Sequence, residues 1–89
     1  QADGLVNKAL EVEGVRMAVL ASERDDGIKM SLRAVEPDTV NDIAVLFGGG
    51  GHAQAAGCTI HAPLHEALDQ VLAAMKDKLD KTPRPEGRV

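Results

Sequence analysis

The sequence predicts a single α/β domain: a small mixed β-sheet flanked by helices, in the order α-β-β-α-β-α. Three observations predict it. The segment IKMSLRAV alternates apolar and polar residues strictly, as a strand with one buried face does. EPDTVNDIAVLFG and PLHEALDQVLAAMKDKLDK repeat apolar residues at helical spacing. The 89 residues, 44% of them hydrophobic, suffice for one folded core and leave no room for a second. Phe47 is the only aromatic residue, so that core must be aliphatic.

The elements follow in order. DGLVNKALEV places Leu5, Val6, Ala9 and Leu10 at helical spacing and predicts a short first helix. GVRMAVLAS is apolar and reads as a strand; ERDDG supplies turn chemistry before the alternating strand IKMSLRAV, and the two strands predict an antiparallel hairpin. In the next helix Val40, Ile43, Ala44 and Phe47 form one stripe, with Asp38 or Thr39 as the N-terminal cap and Gly48 as the left-handed terminator. AAGCTI predicts a buried strand. In the last helix Leu64, Leu68, Val71, Leu72, Met75 and Leu79 form the apolar face, with Pro63 at its start, Glu66 in the first turn and Lys76, Lys78 and Lys81 in the last. The domain is expected over residues 3–80, and TPRPEGRV, with two prolines and no apolar pattern, predicts a disordered tail over 81–89.

Composition excludes several function classes. A net charge of -4 argues against a surface coated for long nucleic acid, but permits a local anion site. No run is long enough to span a membrane and no signal-peptide pattern opens the chain. One cysteine excludes an internal disulfide and fits a reducing, cytoplasmic compartment. The chain opens on Gln1 rather than Met, so an upstream portion of a longer parent protein is expected.

Two stretches carry candidate chemistry. Parity along the second strand puts Lys29, Ser31 and Arg33 on one face, away from Ile28, Met30, Leu32 and Ala34. An arginine fork and an ammonium are suited to phosphate, although a strand with that pattern by itself reads as a solvated outer face. The second stretch is GGGGHAQAAGC, residues 48 to 58. Successive glycine amides can form an anion-binding nest, and His52 is the first side chain after them. The run is no Walker loop, because His52-Ala53 stands where Lys-Ser or Lys-Thr is required. It also follows a helix rather than a strand, which excludes a dinucleotide-binding loop. Four glycines exceed what a helix terminator needs, which favours a loop facing a ligand. Cys58, His61 and His65, with His52, have zinc-like spacing. Strand parity sends Cys58 and His61 to opposite faces, so no metal ligands are assigned; Cys58 reads as core, His61 and His65 as surface.

KMSLRA, a short helix, and FGGGGHAQAAGCTI together resemble the DHH-associated domain, the C-terminal half of DHH-family phosphoesterases. The subgroup most similar is the bacterial oligoribonucleases (nano-RNases) that also act as pAp phosphatases. DGLVNKALEVEGVRMAVL resembles the opening segment of the same domain, so the likeness covers roughly residues 3 to 75. The resemblance implies a domain that closes over a catalytic partner and holds the nucleotide. By motif position Gly49, Gly50, Gly51 and His52 match the substrate-binding loop and Arg33 the arginine of the Ser-Leu-Arg segment; Lys29 and Ser31 are secondary candidates. Where many relatives carry Ser, this chain has Ala34.

The family's hydrolysis uses an N-terminal domain with an Asp-His-His motif and two metal ions, usually manganese; no such motif occurs here. No residue of this chain is therefore expected to be catalytic, and the fragment alone is expected to be inactive. The parent is expected to be a hydrolase of short RNA, pAp or cyclic dinucleotides, with the DHH domain of the same chain as partner and a homodimer as its assembly. Two alternatives stay open: a nucleic-acid-binding or interaction module of the kind found beside alanyl-tRNA synthetases, and an exopolyphosphatase relative.

Overall fold

In the computed structural model residues 2–83 are described, with side chains from Gly4 onward. Helix α1 spans Ala2–Ala9, β1 Met17–Arg24, β2 Gly27–Ala34, α2 Asn41–Leu46, β3 Gly50–His52, β4 Ala55–Ile60 and α3 Leu64–Lys81. The α/β class and the helix–strand order are as the sequence predicts, with one addition. The middle of the glycine run is a three-residue strand, β3, rather than a loop. The sheet order is β1-β2-β4-β3, and every pairing is antiparallel, so the sheet is not mixed. Two tight hairpins make two of the three pairings, since a two-residue turn returns a strand beside its predecessor in the opposite sense; β2 with β4 is the third.

Alternation builds the core. Ile28, Met30, Leu32 and Ala34 of β2 and Ala56, Cys58 and Ile60 of β4 are buried on one face. Against them pack Val40, Ile43 and Ala44 around α2, and Ala67, Val71 and Met75 of α3. Met30, Leu32, Val40 and Val71 are fully enclosed; burying side chains of this size stabilises by about 1.5–3 kcal/mol each. Helix α1 lies along β1 and β2 and buries Val6 apart from this cluster.

Three details depart from the sequence reading. The buried stripe of α3 is rotated, so that Ala67, Val71 and Met75 face the core while Leu64 and Leu72 are exposed. Pro63 caps α3 rather than opening it. Helix α2 begins later, with Val40 at the cap position and no side-chain cap. Asp38 and Thr39 are engaged elsewhere. Arg16 donates to both carboxylate oxygens of Asp38, Nε to Oδ2 and Nη2 to Oδ1, each at 2.8 Å. Lys78 donates at 2.6 Å to the carbonyl and hydroxyl oxygens of Thr39 and to Asp42 Oδ1. These contacts tie the start of β1, the loop before α2 and the end of α3 together. Of the expected tail, residues 84–89 lie outside the described residues; Lys81 ends α3.

Candidate functional site

The glycine run is explained first by packing. Helix α2 ends in a Schellman motif: Gly49 N–H donates to Ala44 O at 2.8 Å and Gly48 N–H to Val45 O at 3.0 Å. Gly48 takes the left-handed φ of 85° that this motif requires. A Cβ on Gly49 would fall 2.0 Å from Gly57 O, and one on Gly51, at φ 143°, 2.6 Å from Ala56 Cα. Both glycines let backbones approach. Gly50 is different: a Cβ there would meet nothing within 4 Å. The excess of glycine that points toward a ligand therefore reduces to Gly50, whose surroundings are open.

Register then assembles the face. Arg33 is paired with Ala55, and Ala55 with His52. Paired residues share a face, so Arg33 and His52 flank Ala55 on the face opposite the main core, about 10 Å apart at the Cα atoms from the strand spacing. Ser31 pairs with Gly57, and Gly57 with Gly50; Lys29 pairs with Thr59. The strand positions of this face in β2, β4 and β3 carry Gly27, Lys29, Ser31, Arg33, Ala55, Gly57, Thr59, Gly50 and His52, with no carboxylate among them. In a chain of net charge -4, that is a segregation of cationic and neutral groups over a floor of small residues.

One hollow lies on this face and a second at its edge, where Phe47 and the core residue Cys58 also line it. The first, about 260 Å³, is lined by Lys29, Ser31, Arg33, Gly50, Gly51, Ala55 and Gly57. The other, about 570 Å³, includes Lys29, Phe47, Gly49, Gly57, Thr59 and His61. They share Lys29 and Gly57. Arg33 Nη1 donates to Leu32 O at 2.8 Å, which bends the guanidinium back along its own strand. His52 and Lys29 are exposed. The turn carrying His52 is anchored. Gln54 Nε2 donates to Asp38 O at 2.8 Å, Val40 N–H to Ala53 O at 2.7 Å and Ala34 N–H to Gln54 O at 3.1 Å.

The structure thus brings Lys29, Ser31, Arg33, Gly50 and Gly51 to one hollow, places Gly49 in the neighbouring one, and sets His52 on the same face outside the lining of both. Sequence reasoning missed Thr59, Phe47 and His61 as lining residues. The parity that separated His61 from Cys58 was the available signal, since it also puts His61 with Lys29. Gln54 carried no signal at all.

Other polar groups serve the fold. Asp38 raises the Arg16 pKa, chiefly through the side-chain hydrogen bond, and Arg16 also donates to the Thr82 carbonyl. Partial burial pushes the Asp42 carboxyl upward, but the hydrogen bond and charge of Lys78 outweigh it and hold the group below its ordinary value. Burial pushes the Cys58 thiol up, the opposite of what a nucleophile or metal ligand needs. Among the described residues no three His, Cys, Asp or Glu side chains converge as metal ligands, and no helix is long and apolar enough to cross a membrane.

Known proteins share the sequence and the fold of this chain. The bifunctional oligoribonuclease and PAP phosphatase NrnA of Thermus thermophilus is 35% identical over 80 residues, 89% of this chain and 25% of that protein. NrnA of Bacillus subtilis is 32% identical over 76 residues, 85% of this chain and 23% of that protein. The crystal structure of an exopolyphosphatase-related protein from Bacteroides fragilis superimposes with a TM-score of 0.81 at 30% identity, over 91% of this chain and 24% of that one. The chain therefore spans about a quarter of the length of these relatives. The DHHA1 domain profile matches residues 1–81, and the chain belongs to the DHHA1 domain family.

Proposed function

We propose that this chain is the substrate-gripping domain of a DHH-type phosphoesterase acting on short oligoribonucleotides, pAp or cyclic dinucleotides. The observation that carries the reading is the placement of Arg33 and His52 on one face across Ala55, above open Gly50. A phosphate between them takes charge-assisted hydrogen bonds from the guanidinium and a donor from the imidazole, while Gly50 lets it approach the backbone. The names of the Thermus and Bacillus relatives, both oligoribonuclease and PAP phosphatase, support the nucleotide as ligand.

The chain supplies grip rather than hydrolysis. The described residues hold no ligand set for a metal pair. The two metal ions, manganese by the family resemblance, belong to a DHH catalytic domain of the same parent, and no chemical step is assigned to this chain. The parent works in the cytoplasm as a homodimer. Polyphosphate is the second reading, favoured by the exopolyphosphatase-related structure from Bacteroides fragilis. It needs the cations of the face but no contact with a base.

The test is calorimetric titration of the chain with pAp and with tripolyphosphate. Wild type should bind pAp, and Arg33→Ala should weaken it by about 1.5–3 kcal/mol, roughly ten- to more than a hundredfold. Manganese added to the same protein should release no phosphate from pAp. Loss of neither affinity nor heat in Arg33→Ala and His52→Ala would sink the reading, and tighter binding of tripolyphosphate than of pAp would favour the second one.

A further inference from the structure

Strand β1 ends the sheet and pairs only with β2 among the described residues, in an unbroken register without a bulge. Val35 N–H donates to Arg16 O at 2.9 Å, so Arg16 spends its backbone groups on β2. By alternation Met17, Val19, Ala21 and Glu23 turn theirs outward. Natural edges are blunted by charge, proline or a bulge. Residues 17–22 carry no charge and no proline. Helix α3 lies over this edge, since β1 is the strand it touches most, whereas α2 lies over β3 and β4. Lys78 reaches toward α2, to Thr39 and Asp42. Residues turn by about 100° along a helix, so Leu68, Leu72 and Leu79 fall on the other flank, above the bare edge. Leu72 is 46% exposed. Asp69 and Lys76, both exposed, form the outer rim of that flank. The two features are level with each other. Arg16 donates to the Thr82 carbonyl, so β1 starts where α3 ends. From Arg16 to Leu20 the strand covers about 13 Å, the rise of about nine helical residues, which sets Leu20 beside Ala73.

We propose that the β1 edge and the leucine flank of α3 form one docking surface for a second copy of this chain, joined across β1 into an eight-stranded antiparallel sheet. A two-fold axis through Leu20 pairs Met17 with Glu23 of the second copy and Val19 with its Ala21, so the outward backbone groups of each edge meet their counterparts. The same axis passes α3 between Leu72 and Ala73. The two helices then run antiparallel with their leucine flanks in contact, and Asp69 of each copy opposes Lys76 of the other. That charge match is what commits the surface to a copy of itself. Arg24 falls opposite Arg16 of the second copy, whose charge Asp38 already neutralises. Paired strands lie about 4.8 Å apart and packed helices about 8–10 Å apart, so helices seated over their own β1 strands touch when the strands pair. Strand β3 lies at the opposite edge, so the inference is independent of the nucleotide reading.

The test is sedimentation equilibrium of the 89-residue chain over a range of concentrations. The mass should rise from 9.4 kDa toward twice that value as the concentration approaches about 1 mM. In the concentrated sample the amides of Val19 and Ala21 should exchange with deuterium more slowly than in the dilute one. Leu72→Lys on the helix and Ala21→Pro on the strand should each move association to concentrations about tenfold higher or more. Proline at position 21 removes only an outward N–H, and urea midpoints show whether both variants fold. Asp69→Lys and Lys76→Asp should each weaken association, and the two together should restore it. A mass of 9.4 kDa at every concentration overturns the proposal. So does a dimer indifferent to Leu72→Lys and to the charge reversals, or one whose Val19 and Ala21 amides gain no protection.

Discussion

Arg33 and His52 are both register partners of Ala55, one on each side of β4. Neither is near the other in sequence. A ligand gripped by both couples them, so the double mutant should lose less than the sum of the two single losses. A double-mutant cycle with pAp should give a coupling of about 0.5–3 kcal/mol. Arg33→Lys should restore only part of the affinity lost in Arg33→Ala, because an ammonium cannot form two parallel bonds. Strict additivity would mean that the two residues serve different ligands.

Substitutions in the glycine strand should separate binding from folding. Gly50→Ala adds a methyl group into open space, so its unfolding midpoint should match wild type while pAp affinity falls. Gly51→Ala combines a strained φ with a 2.6 Å approach to Ala56 Cα and should destabilise the domain by more than about 1 kcal/mol. Urea denaturation of both variants beside a titration decides the matter. Unchanged affinity in a folded Gly50→Ala would remove this floor from the site.

Gln54 holds the turn that presents His52. Gln54→Ala removes the bond to Asp38 O and should cost about 0.5–1.5 kcal/mol in stability. Its mark as a positioning residue is a change in the His52 signals of the free protein, read in a carbon–proton spectrum. A variant with lowered stability and unmoved His52 signals would assign Gln54 to the fold alone.

Arg16 and Asp38 form the least exposed ion pair among the described residues. Arg16→Ala leaves Asp38 without its two-pronged partner and should lower stability by about 1.5–3 kcal/mol, with Arg16→Lys recovering a fraction. Guanidinium denaturation measures this. Nucleotide affinity of the folded variant should not change, because the pair lines a different hollow.

Asp42 gives a small pH dependence whose sign is fixed. Its pKa in the folded chain is held below the ordinary value, so its pairing with Lys78 is present above the unfolded pKa and is lost as pH falls through the folded one. Because the carboxylate is 61% exposed, the contribution should be a few tenths of a kcal/mol. Asp42→Asn should melt slightly below wild type at pH 7, and the gap should close in strongly acidic buffer. A gap that persists there would assign the effect to the lost side-chain shape.

Much of this was legible from residue type and period. Strict alternation in β2 located Lys29, Ser31 and Arg33 on one face, because a strand has only two faces to offer. Val40, Ile43 and Ala44 announced α2 through their spacing. Strand β3 stayed hidden because glycine carries no side chain to alternate and its low strand preference reads as loop. The cap expected from Asp38 or Thr39 failed for a different reason. Arg16 and Lys78, distant in sequence, bind these residues more strongly than the first amides of a six-residue helix would. His61 was placed on the correct face, but the hollow it lines lies where β3 stops short along β4, a length that alternation does not reveal.

The sheet consists of two local hairpins joined at a single seam. Lys29, Ser31 and Arg33 belong to the first; His52, Thr59 and the glycine strand belong to the second. Only the β2–β4 pairing, the most distant in sequence, sets them side by side. Each hairpin on its own holds half of the grip, and contacts that close long loops form late in folding. The proposed anion site therefore exists only where that pairing has formed. A nucleotide gripped across the seam would stabilise that pairing by mass action, so ligand binding would report whether the two halves of the chain have met.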